Sequence, residues 1–194
     1  GEIHHTHRKS LLPTYDVFHE NRYFAEGAAE DSEVTTLRTG VPCGVTIREE
    51  VWADNSFWPD TEYDTDPVQY LTENGAKVII NLSASPYSLG KPETRDAMLT
   101  HMARNQDATV VYVNQVGANT ELIFDGNSMV VAPNGNIVAR GATWEEDMML
   151  IDIDETGTPV QTEHIEREWA PEYIGDVDDA TLDRMAPEAL DALT

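Results

Sequence analysis

Residues 77–82 read Lys-Val-Ile-Ile-Asn-Leu, and residues 109–116 read Thr-Val-Val-Tyr-Val-Asn-Gln-Val. Each is a near-continuous run of apolar, mostly β-branched residues, as expected of a strand covered on both faces. Between them Pro92 opens a helical stretch. There Met98 and Met102, and Leu99 and Ala103, recur at a spacing of four along one apolar side. Upstream, Asp66-Pro67 places an N-cap acid before a Pro at the first helical position, and Gly75 closes a short helix through Tyr70 and Leu71. Residues 43–47 read as a further buried strand. Downstream, residues 127–132 and 137–142 flank Pro133-Asn134-Gly135-Asn136, a turn signal that predicts a hairpin. Residues 148–153 read as the final strand. Strands alternating with helices, followed by a hairpin, define an α/β class with a mixed sheet.

The remaining segments are less regular. Residues 3–8 read as short and extended. Leu11, Leu12, Pro13, Tyr15, Val17 and Phe18 form an irregular apolar loop in which Pro13 blocks a helix. Residues 28–40 are polar and end on the turn signal Thr39-Gly40, and residues 53–66 form a polar loop dotted with aromatics. Residues 154–194 are an acidic tail. Its one amphipathic stretch, at Leu182, Met185, Leu190 and Leu193, fits a peripheral helix, an oligomer contact or a linker. The domain division expected is therefore 1–153 and 154–194.

The charge balance narrows the functions available. There are 36 Asp plus Glu against 12 Lys plus Arg, a net charge of -24, and the basic residues comprise nine Arg and three Lys. So negative a surface repels phosphate backbones and anionic lipid, which argues against nucleic-acid and membrane partners. No run of 18 apolar residues is present, and no charged-then-apolar leader is visible. The chain begins at Gly1 rather than Met, so a fragment is one expectation. Abundant acid with little Lys points to adaptation to a high-salt cytoplasm; a generically acidic protein is the alternative. The single Cys, Cys43, allows no internal disulfide.

Four segments carry a family resemblance. They are Lys9-Ser10-Leu11-Leu12-Pro13-Thr14-Tyr15 running on to Glu20 and Asn21-Arg22-Tyr23-Phe24; Ile47-Arg48-Glu49-Glu50-Val51-Trp52; Asn81-Leu82-Ser83-Ala84-Ser85-Pro86-Tyr87 with Lys91 and Arg95; and Val113-Asn114-Gln115-Val116-Gly117 through Phe124-Asp125-Gly126-Asn127-Ser128. Together, over roughly residues 3 to 153, they resemble the nitrilase-type (carbon–nitrogen hydrolase) superfamily. Within it they look most like the glutaminase domain of glutamine-dependent NAD synthetases. The resemblance implies an α-β-β-α sandwich built on a mixed sheet, here lacking its N-terminal half. It also implies amidase chemistry on a Glu–Lys–Cys triad, in which a thiolate attacks the amide carbon, a Glu moves the proton and a Lys stabilises the oxyanion. Lys9 falls on the family Lys and Glu20 on its second acid. Tyr15 falls on an aromatic of the substrate pocket, with a plain core Tyr as the alternative. Glu49 falls on a position at the substrate side. Ser85 and Lys91 fall in the segment that holds a glutamine head group, unless Lys91 simply caps the loop before the second helix.

The match breaks at the nucleophile. Where the family has Cys, this chain has Arg48, and a guanidinium stays protonated and offers no lone pair. Cys43 cannot substitute. An offset of five residues points to the opposite face of a strand and spans about 16 Å, so Cys43 reads as apolar filler. Arg48 and Lys9 bring two cations to one pocket, which suits an anion better than a neutral amide unless Glu20 and Glu49 neutralise them. The family's first Glu, the general base, comes from the opening half of the sandwich upstream of the Lys; this chain begins only eight residues before Lys9, so that half is expected to be absent. A Ser-Gly-Gly-x-Asp-Ser pyrophosphatase loop is also missing. His4, His5 and His7 have irregular spacing and no carboxylate pattern, so neither a metal nor a cofactor is expected. The reading is a hydrolase-family domain for a glutamine-like amide, inactive as this chain. The alternative is a ligand-binding or subunit-interaction protein on the same fold, working as a homo-oligomer or with a partner subunit.

Overall fold

A computed structural model describes residues 3–14, 18–28, 32–59 and 63–164, the last four of them by backbone alone. The strands are β1 (Thr35–Thr36), β2 (Pro42–Ile47), β3 (Val78–Ser83), β4 (Thr109–Asn114), β5 (Val116–Asn119), β6 (Leu122–Asp125), β7 (Met129–Val131), β8 (Ile137–Arg140), β9 (Met149–Ile153) and β10 (Pro159–His164). The helices are α1 (Pro67–Glu73) and α2 (Lys91–Gln106), with 3-10 turns at Glu20–Arg22 and Arg48–Trp52. One six-stranded sheet runs in the order β1-β2-β3-β4-β7-β8. β2, β3 and β4 are parallel, with Cys43 opposite Val78 and Val78 opposite Thr109. β1, β7 and β8 join antiparallel, so the sheet is mixed.

The helices form where their punctuation lies. The Asp66 carboxylate accepts from Val68 N at 2.9 Å and Gln69 N at 3.0 Å, capping α1. Both helices cover one face of the sheet. Val68 and Leu71 of α1, and Met98, Leu99, Met102 and Ala103 of α2, pack on Ile79, Val110 and Tyr112. Each large apolar side chain fully buried there contributes about 1.5–3 kcal/mol. Gly44 lets α1 lie directly on β2, because a Cβ at that position would stand 2.8 Å from Leu71 Cδ1.

The opposite face is only partly covered. Cys43 and Val78 are buried there against Val41, with Ile80, Val111 and Ile153 packed beside them. The hairpin of β9 and β10 reaches this end, where Thr109 Oγ1 donates to Gly157 O at 2.6 Å. Toward the carboxyl ends of β3 and β4 the same face opens, and Leu82 and Val113 are 50% and 44% exposed. The expectation of strands covered on both faces is therefore corrected: the helices bury one face, and the other is buried at one end only.

Two further expectations need correction. Residues 109–116 are not one strand. β4 ends at Asn114 and β5 starts at Val116, because Asn114 turns its side chain to hold the next loop, accepting from Ser85 N and donating to Gly126 O. Nor is β9 the final strand, since β10 pairs with it. The expected extended segment at 3–8 forms no strand. Cys43 is 2% exposed, and burial raises its thiol pKa, as suits an apolar filler. The amphipathic stretch from Leu182 to Leu193 lies outside the described residues.

Candidate active site

A cavity of about 510 Å³ opens where the parallel strands end, the usual place for a site in an α/β sheet. Lys9, Glu20, Ile47, Arg48, Leu82 and Ser83 contribute to its wall. Lys9 arrives from the irregular N-terminal segment, which is tied down on both sides. Gly27 N donates to Lys9 O at 2.9 Å, and a Cβ on Gly27 would stand 2.8 Å from Arg8 O, so this close approach requires glycine. On the other side Ser10 N and Ser10 Oγ both donate to Glu50 Oε1 at 2.7 Å.

Glu50 is fully buried and organises the turn after β2. Its Oε2 accepts from Ile47 N at 2.7 Å and lies 2.8 Å from His7 Nε2. Burial pushes its pKa up, but the bonds from His7, Ser10 and Ile47 outweigh burial and leave it below the usual range. His7 is thus a partner of a buried carboxylate. Neither Glu50 nor His7 was assigned this role from the sequence. The signal was the acid two residues after Arg48, but its partner is 43 residues away and only the fold joins them.

Arg48 stands at the first residue after β2 with φ of 42°, in the left-handed region that a non-glycine side chain rarely adopts. It is 7% exposed. Its Nη1 donates to Glu49 Oε2 at 2.9 Å, and Phe18 lies beneath the guanidinium with its ring centroid 4.0 Å from Cζ. Tyr63 Oη donates to the other Glu49 oxygen at 2.9 Å. In the wall of the same cavity Lys9 Nζ donates to Glu20 Oε2 at 2.5 Å. Lys9, Glu20, Arg48 and Glu49 are therefore brought together as two ion pairs.

The other expected site residues sit further out. Ser85 is buried and its backbone N–H is held by Asn114, but Ser83 and Ala84, not Ser85, line the cavity. Lys91 opens α2, with Nζ 5.6 Å from the Trp52 ring. Burial first, then Arg48 and Arg95, hold its pKa below the ordinary lysine range. Tyr15 lies outside the described residues. Behind this region Arg95 and Asp125 form a buried bidentate pair at 3.1 and 2.5 Å, and Asn127 donates to the same carboxylate at 2.9 Å. The pair ties α2 to the end of β6.

Chemically, the polar side chains of the cavity wall are two cations (Lys9 and Arg48), one carboxylate (Glu20), one hydroxyl (Ser83) and two amides (Asn114 and Gln115). The Ser83 hydroxyl donates to Asn81 Oδ1 at 2.7 Å, and an amide oxygen is no general base. Among the described residues that line the cavity, Glu20 is the one carboxylate, and it is already engaged with Lys9.

A model of the carbon–nitrogen hydrolase family matches residues 1–161. The chain belongs to the carbon–nitrogen hydrolase family. Within it, the chain is similar to glutamine-dependent NAD(+) synthetases. It is 42% identical over 154 residues to that of Synechocystis sp., covering 79% of this chain and 27% of the relative. The solved glutamine-dependent NAD+ synthetase of Acinetobacter baumannii, in complex with ADP, superposes with a TM-score of 0.67 at 33% identity, over 84% of this chain and 28% of that one. An amidase of Nesterenkonia sp. AN1, with an acetamide moiety added covalently at its active-site cysteine, shares the fold. Its TM-score is 0.56 at 19% identity, over 91% of this chain and 54% of that one. The chain spans about a quarter of the length of the curated relatives it matches.

Proposed function

We propose that this chain is a glutaminase-type domain whose cavity binds a small glutamine-like ligand without hydrolysing it. The observation that carries the reading is Arg48. It takes the motif position of the family nucleophile, on a tight left-handed turn after a parallel strand. Acyl transfer needs an electron pair there, and guanidinium has none to give. Cys43 is buried on β2 and does not line the cavity. The proposed setting is a high-salt cytoplasm, in keeping with the charge of -24.

One observation favours retained hydrolysis: the Lys9–Glu20 pair, which matches the oxyanion-stabilising half of the family's machinery. Ammonia release from L-glutamine by the purified chain separates the readings. The non-hydrolytic domain releases none. Turnover that persists after alkylation of Cys43 establishes hydrolysis by another nucleophile and overturns the proposal.

A further inference from the structure

The guanidinium of Arg48 does more than displace a nucleophile. One of its donor groups, Nη1, is committed to Glu49. Its Nε–H is buried and has no hydrogen-bond partner among the described residues. The Nε–H and the adjacent Nη2 make the side-on fork that fits the two oxygens of a carboxylate. Phe18 beneath the plane holds the fork in one orientation. A buried donor left without an acceptor is unfavourable, so the arrangement is complete only when an acceptor arrives.

The surroundings point the same way. Lys9 lines the same cavity, and its ammonium carries donors beyond the one given to Glu20. Glu49, which engages Arg48, is not part of the cavity wall. In a chain of net charge -24, this cavity is the place where Lys9 and Arg48 converge, with Lys91 near enough to feel Arg48 and Arg95. An amide NH2 placed against the fork sets donor against donor, whereas a carboxylate accepts on both oxygens.

We propose that the cavity is a carboxylate site, in which Arg48 and Lys9 hold the carboxylate of a small acid at the place where a hydrolase of this family holds an amide. The inference rests on the non-hydrolytic reading above. It predicts preference for a side-chain acid over its amide, and L-glutamate and L-glutamine are the matched probes.

Isothermal titration of the 194-residue chain with each probe tests this. The expected result is L-glutamate binding at least about tenfold tighter than L-glutamine. Arg48→Gln should bring the two within about twofold of each other, and Arg48→Lys, which keeps the charge but loses the fork, should fall between. Three outcomes overturn the proposal: glutamine binding as tightly as glutamate, neither probe binding at about 10 mM, or an unchanged preference in a folded Arg48→Gln variant. The glutamate-to-glutamine ratio of the unmodified chain decides the matter even if a variant fails to fold. Ammonia release, measured on the same samples, sinks the non-hydrolytic reading. A lost preference without ammonia release sinks the carboxylate inference alone.

Discussion

Glu50 and Ser10, 40 residues apart, are joined twice through one oxygen: Glu50 Oε1 accepts from both the backbone N–H and the hydroxyl of Ser10 at 2.7 Å. The clamp joins the segment of Lys9, one residue before Ser10, to the turn of Arg48, two residues before Glu50, and both cations line one cavity, whereas Glu50 does not.

Glu50→Gln should destabilise the chain by about 2–4 kcal/mol, since one amide oxygen cannot replace two charged acceptors. Urea unfolding measures this. The pH dependence has a definite sign. The folded-state pKa of Glu50 is lowered, so its contribution is complete above the unfolded value of about 4.3 and is lost as pH falls through the folded value. The gap in midpoint between the parent chain and Glu50→Gln should therefore close on acidification. A gap that is constant down to acid pH contradicts the clamp.

Asp125→Asn should cost about 3–5 kcal/mol, because it leaves the Arg95 guanidinium buried without its counter-charge. Arg95 is 1% exposed and Asp125 is fully buried. Thermal unfolding followed by circular dichroism should show a large fall in midpoint. A fall no greater than that of an exposed acid such as Glu93→Gln would show that the pair holds nothing together.

Removing salt should unfold or associate the chain. With a charge of -24 the folded state is under self-repulsion that extends over about 10 Å at 0.1 M salt and further below it. The exposed Leu82 and Val113 add an apolar face that favours association. Far-UV dichroism and size-exclusion chromatography across a salt series should show loss of signal or larger species at low salt. A folded monomer in dilute buffer contradicts the expectation.

The fold was legible where the signal is local. Asp66-Pro67 and Gly75 bracket α1, the Met98/Met102 pairing marks the buried side of α2, and Pro133 to Asn136 join β7 to β8. The end of β4 was not legible, because Asn114 breaks the apolar run through bonds to Ser85 and Gly126 that only the folded chain brings near. The open face at Leu82 could not be read either, since an apolar run does not say which of its faces is covered. At the site, motif order placed Lys9, Glu20, Arg48 and Glu49 together. It did not reveal that His7 pairs with Glu50, because that contact spans 43 residues and carries no periodic signature.

The most direct measurement is intact-mass analysis after incubation with an electrophilic glutamine analogue, run on the parent chain and on Arg48→Cys. On the proposed non-hydrolytic reading Arg48 leaves the turn without a nucleophile, so the parent chain should keep its mass. Arg48→Cys, which puts a thiol at the turn after β2 and removes the guanidinium fork, should gain a single adduct that L-glutamine slows. A parent chain that takes up one adduct at a cavity residue, with protection by glutamine, would show that a working nucleophile is present and contradict the central claim.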